Sequence, residues 1–65
     1  MKISIDMDKN ILLSVINTKL RNDYDDLDSL CGDLNLKREE LIIKLQELNY
    51  RYSKETNQFV YLANE

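Results

Sequence analysis

The chain contains no histidine, no proline and no tryptophan, a single glycine (Gly32) and a single cysteine (Cys31). Each absence excludes something. Without histidine, the side chain best suited to proton transfer near neutral pH is missing. With one cysteine and no histidine, a closed Cys/His zinc site within one chain is ruled out. One cysteine also forbids an internal disulfide, so no covalent staple supports the core. The lack of proline and near-lack of glycine point to regular elements joined by short connections. There is no long apolar run: no stretch free of charge is longer than the nine residues from Asn10 to Thr18, against about 20 residues needed to cross a bilayer. Met1 to Asp6 holds no apolar segment of signal-peptide length. An unpaired cysteine fits a reducing compartment, and the expectation is a cytoplasmic protein without membrane contact.

What is present suits a small folded domain. Apolar residues make up 43% of the 65 positions and charged residues 32%, with a net charge of −3. A chain of this length holds one domain and buries only about 60% of the surface its unfolded form exposes. The core is therefore marginal, and self-association is the remaining route to extra burial.

Ile3, Ile5 and Met7 alternate with Ser4 and Asp6, which predicts either a short N-terminal strand or an extended arm. Asp8 has the position of a helix cap, and a first helix is predicted over 9–23, with Leu12, Ile16 and Leu20 on one stripe. Asp25 or Asp26 caps a second helix over 26–33, whose Leu27, Leu30, Cys31 and Leu34 face inward. Asn35 stands where a left-handed residue is wanted. A third helix is predicted over 38–48, with Leu41, Leu45 and Leu48 inside. Asn49 stops it, and residues 50–61 read as a hairpin with Asn57 as the positive-φ residue of its loop. Tyr50, Tyr52, Phe59 and Tyr61 are placed to pair across that hairpin. Leu62 to Glu65 reads as a fraying tail. The fold class is mainly α: three short helices followed by a C-terminal β-hairpin.

Cys31, Leu34, Asn35, Leu36 and Leu41 match the spacing of a helix-turn-helix unit. A small side chain in the first helix allows a close crossing, and a left-handed turn sets a steep angle. The geometry does not by itself imply nucleic-acid binding, and three observations disfavour it. The sequence pI is about 4.8, whereas DNA affinity rests on phosphate neutralisation. Residues 24–35 carry four aspartates and no base. The surface of the third helix that would enter a groove bears Lys37, Arg38, Glu39, Ile42, Ile43 and Gln46, and two adjacent isoleucines and a glutamate are poor base readers. Adjacent exposed isoleucines more often mark a surface covered by protein. The leading expectation is therefore a non-enzymatic interaction module, binding a partner protein or a second copy through Ile42, Ile43, Glu39 and Gln46. The alternative is a nucleic-acid-binding regulator that gathers Lys37, Arg38, Lys44, Arg51 and Lys54 on one side of the third helix and hairpin.

The runs Leu12-Leu13-Ser14-Val15-Ile16-Asn17-Thr18-Lys19-Leu20-Arg21 and Leu27-Asp28-Ser29-Leu30-Cys31 form the first part of a wider pattern. Glu39-Glu40-Leu41 to Leu45, Tyr50-Arg51-Tyr52 and Asn57-Gln58-Phe59-Val60 complete it. Together they resemble a family of short proteins from anaerobic Gram-positive bacteria classed as a domain of unknown function. Lys37 departs from that pattern, which tends to carry a capping residue such as Asp or Ser there. The resemblance implies a small cytosolic protein with this fold and assigns no activity.

No other constellation promises chemistry. Asp23, Asp25, Asp26 and Asp28 lack the turn glycine and closing glutamate of a calcium loop and read as caps and solvated surface. Cys31 is expected in the core, with no base to activate it. Asn17 and Thr18 read as solvent-facing or locally bonded. Tyr50, Tyr52 and Tyr61 could stack bases, but only Arg51 and Lys54 accompany them. No nucleophile with a base and no glycine-rich phosphate loop occurs, and a core this small leaves no room for a pocket of about 300 Å³. No catalytic residue, cofactor, metal or small-molecule substrate is expected.

Overall fold

A computed structural model describes residues 3–62, so the tail expected over Leu62 to Glu65 lies, apart from Leu62 itself, outside the described residues. The element order is α1 (Lys9–Asn22), α2 (Leu27–Leu34), α3 (Arg38–Gln46), β1 (Tyr50–Ser53) and β2 (Gln58–Tyr61). The two strands form one antiparallel pair in the register Tyr50↔Tyr61, Arg51↔Val60, Tyr52↔Phe59 and Ser53↔Gln58. The fold class expected from the sequence, three helices and a C-terminal hairpin, is the one observed.

The helix limits follow from local chemistry. Asp8 caps α1, its carboxylate accepting from the N–H groups of Asn10 and Ile11. Asp26, the second of the two candidate caps, accepts from the Ser29 N–H at 2.7 Å, so α2 begins one residue later than expected. Asn35 closes α2 in the left-handed conformation (φ 59°), and the Leu36 N–H donates back to the Cys31 carbonyl. That six-residue closure satisfies a carbonyl the helix would otherwise orphan and turns Leu36 onto the core. Lys37 begins α3 without any side-chain cap.

Helix α2 also ends one residue later than expected, at Leu34, and three further features differ from expectation. Asp23 is the C-terminal cap of α1 rather than its last residue. Helix α3 ends at Gln46, not Leu48. Its chain tightens into three-residue turns there, with Leu48 and Asn49 N–H groups donating to Leu45 and Gln46 carbonyls. Asn49 then takes φ 65° and reverses the chain into β1. The N-terminal segment is not a strand. It folds into a turn in which the Met7 N–H reaches the Ser4 carbonyl and the Asp6 N–H reaches Ser4 Oγ. Ser4 supplies local acceptors that compete with extended pairing, while Ile3, Ile5 and Met7 still pack on the core.

Leu12, Ile16, Leu20, Leu27, Leu30, Cys31, Leu41, Leu45 and Phe59 form the core. Every helix contributes at least two, so no helix holds its place alone. Each fully buried leucine contributes about 1.5–3 kcal/mol of transfer free energy. Every positive-φ residue described is an asparagine, at 35, 49 and 57. The lone glycine serves no such purpose: Gly32 lies inside α2 with nothing within 4 Å of where a Cβ would sit. Gly32→Ala is therefore expected to stabilise the protein by about 0.5–1 kcal/mol, through helix propensity and a less flexible unfolded chain. Thermal unfolding should show a rise of several degrees, on the order of 4–8 °C per kcal/mol at this size.

Candidate functional site

The position of the hairpin depends on side-chain amides. The Asn17 amide on α1 faces the backbone of Phe59 on β2: Nδ2 donates to the Phe59 carbonyl at 3.0 Å, and Oδ1 accepts from the Phe59 N–H at 2.7 Å. The pair imitates one rung of a β-ladder, so a side chain stands where a third strand would pair. Gln58 Nε2 adds a bond to the Asn17 carbonyl. At the loop, Asn57 Nδ2 donates to the carbonyls of Leu20 and Tyr24 at 2.9 Å each, and its Oδ1 accepts from the Tyr52 hydroxyl. Leu20 is in the last turn of α1, where carbonyls lack intrahelical donors. The hairpin thus finishes the helix while the helix holds the hairpin. Tyr52 against Phe59, with rings 5.7 Å apart, and Tyr50 against Tyr61 complete the inner face.

This docking fixes which strand edge is open. In an antiparallel pair, residues alternate between facing their partner and facing away. Phe59 turns its polar groups toward Asn17 and away from β1, and the Leu62 N–H donates to the Asn49 carbonyl. By that alternation Asn49, Arg51 and Ser53 bond across the hairpin, while Tyr50 and Tyr52 present N–H and C=O outward. Among the described residues, nothing hydrogen-bonds to those outward groups.

Beside this edge lies an open groove of about 600 Å³ between α3 and the hairpin, lined by Arg38, Ile42 and the segment from Arg51 to Glu55. Arg38 and Ile42 are four apart on α3 and share a flank. A smaller cleft of about 320 Å³ adjoins it, sharing Arg38, Tyr52 and Lys54 and adding Asp25, Asp26, Leu27 and Asp28. The Arg38 guanidinium meets Asp28 at 2.9 Å. A third groove, about 370 Å³, lies elsewhere and holds Ile5, Asp6, Glu40, Ile43, Lys44 and Glu47. These open grooves exceed the space expected of so small a core, because they lie between elements on the surface rather than within it.

The structure divides both sets of candidate residues. Of the five basic positions, Arg38, Arg51 and Lys54 converge on one groove, Lys44 lies in the other, and Lys37 is exposed at the start of α3. Ile42 and Ile43 do not share a face. Successive helical residues diverge by about 100°. Ile42 is half-buried against the core and lines the basic groove, whereas Ile43 is 59% exposed in the other. Glu39 and Gln46 are exposed and line neither. Asn17 and Asn57, the residues that determine which edge is open, carry long-range roles that sequence spacing does not reveal. Only the left-handed tendency of Asn57 is a local signal.

The titratable groups have structural effects. The Ser29 N–H holds the Asp26 carboxyl below its ordinary range, and Lys9, at 2.8 Å, does the same to Glu47. The Tyr24 hydroxyl donates to the Asp33 carboxylate, which pushes it up, and burial raises the Cys31 thiol. A raised thiol is a poor nucleophile. The signs are opposite at the two ends of the pH scale. The contributions of Asp26 and Glu47 are present above their unfolded-state values and lost as pH falls through the depressed folded ones. Those of Tyr24 and Cys31 are present below their unfolded-state values and lost as pH rises through the raised folded ones. The urea midpoint should therefore be flat around neutrality and decline below about pH 4 and above about pH 9. Asp26→Asn, which keeps an acceptor but does not titrate, should make the acid decline shallower.

Among the described residues, no group of three or more Asp, Glu or Cys side chains is arranged to hold a metal ion. No helix among those residues is long and apolar enough to cross a membrane. Residues 6–59 match the family model described as "Domain of unknown function (DUF4250)". No curated protein and no solved structure matches the chain.

Proposed function

We propose, from the premise that the chain belongs to the DUF4250 domain family, that it is a non-enzymatic module that binds another protein in the groove between α3 and β1. The observation that carries this reading is the outward polar edge of Tyr50 and Tyr52 beside the half-buried Ile42. A strand edge next to an apolar floor is a common way to receive another chain. The reading moves the interface away from the Ile42–Ile43 pair: Ile42 stays in it and Ile43 leaves it. The absence of histidine and of any nucleophile paired with a base supports a binding role. The unpaired, buried Cys31 accords with a reducing compartment, and we assign the protein to the cytoplasm.

One observation favours a second reading. Arg38, Arg51 and Lys54 converge, as a regulator using its α2–α3 pair in the manner of a helix-turn-helix would require. The net charge of −3, the Arg38–Asp28 ion pair and the acidic adjoining cleft weigh against it. An amide-resolved NMR titration with a mixed-sequence DNA duplex at low salt separates the two, with a mass measurement on the same sample. The protein-binding reading expects no shift in residues 37–54. Shifts there that reverse on adding salt would give first place to nucleic acid.

A further inference from the structure

We infer that the occupant of the α3–β1 groove is an acidic segment of another protein, bound in extended form as a third strand on the outer edge of β1. The inference rests on the protein-binding reading and names the partner's chemistry.

Tyr50 and Tyr52 offer two N–H donors and two C=O acceptors, all directed away from β2. A strand added there would lie about 4.8 Å from β1 and satisfy them. The opposite edge is not equivalent, because the Asn17 amide already occupies Phe59. The hairpin can therefore be extended through β1 while β2 is blocked at that rung. Exposed edges invite pairing and are usually protected; here one is protected and the other is not.

The side chains select the occupant. In a strand, alternate residues face opposite sides. Those of the added strand that face the helices would meet Ile42, and those facing outward would lie beside Arg51, the cross-strand neighbour of Val60. The groove holds three cations, Arg38, Arg51 and Lys54, against one carboxylate, Glu55. Asp28 engages Arg38, and Asp25 and Asp26 line the adjoining cleft. Arg51 and Lys54 form no ion pair among the described residues. They are left to meet carboxylates on the partner. A second copy of this chain fits worse, because antiparallel pairing of β1 with itself would bring the two Arg51 side chains within cross-strand reach, and like charges there are destabilising.

The test uses the full-length labelled protein and a blocked hexapeptide of alternating valine and aspartate at millimolar concentration, followed residue by residue. The expected result is movement of the Tyr50 to Lys54 amides, with the Tyr52 amide shifting downfield and exchanging with solvent at least tenfold more slowly. A peptide N-methylated at alternate residues should fail, and Arg51→Glu or Lys54→Glu should weaken binding about tenfold. Both positions are exposed, and unchanged spectra elsewhere verify the fold. If neither peptide moves β1, or both move it equally, strand addition is overturned. A dimeric mass in that case leaves a protein interface standing with a different occupant. Should a DNA duplex move the same amides instead, the underlying reading falls as well.

Discussion

Replacing Asn57 with alanine should cost about 3–4 kcal/mol, the largest single-residue effect expected outside the core. Three hydrogen bonds are lost together: two donated to the carbonyls of Leu20 and Tyr24, one accepted from the Tyr52 hydroxyl. Each is worth about 0.5–1.5 kcal/mol net, and more where its partner is left unsatisfied away from water. Alanine must also take up φ 53°, at about 1 kcal/mol. A chain of this length has roughly 3–10 kcal/mol of total stability, so the substitution would remove about a third of it or more. Two companions separate the causes. Asn57→Gly removes the conformational strain and should recover about 1 kcal/mol. Asn57→Asp keeps the acceptor for Tyr52 but cannot donate, and should lie near the glycine variant. Urea unfolding of the three variants gives the comparison. An alanine variant within about 1 kcal/mol of the parent would mean that the loop does not finish α1.

Asn17→Ala should cost about 2–3 kcal/mol, for a different reason. The substitution suits a helix interior better than asparagine, by several tenths of a kcal/mol. Against that gain, the Phe59 N–H and C=O lose both partners next to a fully packed ring. Orphaned backbone groups in such a place cost about 1–3 kcal/mol each when water cannot reach them. The loss should also be local. The Phe59 amide should exchange faster in the variant, beyond what the drop in global stability explains, while amides of α2 follow global unfolding alone. The unblocked β2 edge should raise the tendency to associate, visible as a concentration-dependent mass. A variant as stable as the parent with an unchanged Phe59 amide would remove Asn17 from the account.

Local rules made the helices legible. Asp8, Asp26 and Asn35 declare their capping roles by residue type and spacing, and the stripes Leu12–Ile16–Leu20 and Leu41–Leu45 declare the buried faces. The hairpin was legible through its tyrosines and Asn57. The end of α3 was not, because Glu47 and Leu48 are good helix formers and only the left-handed Asn49 draws the chain away. The segment from Ile3 to Met7 has the alternation of a strand, yet Ser4 captures it in a turn. The groove was half legible. Arg38 and Ile42 share a helix flank by spacing alone, but their meeting with Arg51 and Lys54 depends on how the hairpin docks. That docking is set by Asn17 and Asn57, whose partners lie 33 to 42 residues away. Polar side chains in a helix carry no sign of so distant a partner, so Asn17 resembles any solvated residue.

The most direct test is amide hydrogen exchange on the dilute, unliganded protein. The account holds that Asn17 closes one edge of the hairpin and that the other is free to receive a chain. It predicts a slow Phe59 amide, held by Asn17, and slow Arg51 and Val60 amides within the ladder. The Tyr52 amide, directed outward from β1, should exchange about tenfold faster or more. A Tyr52 amide as protected as that of Phe59 would mean the edge is already covered, and the groove would then have no strand to offer.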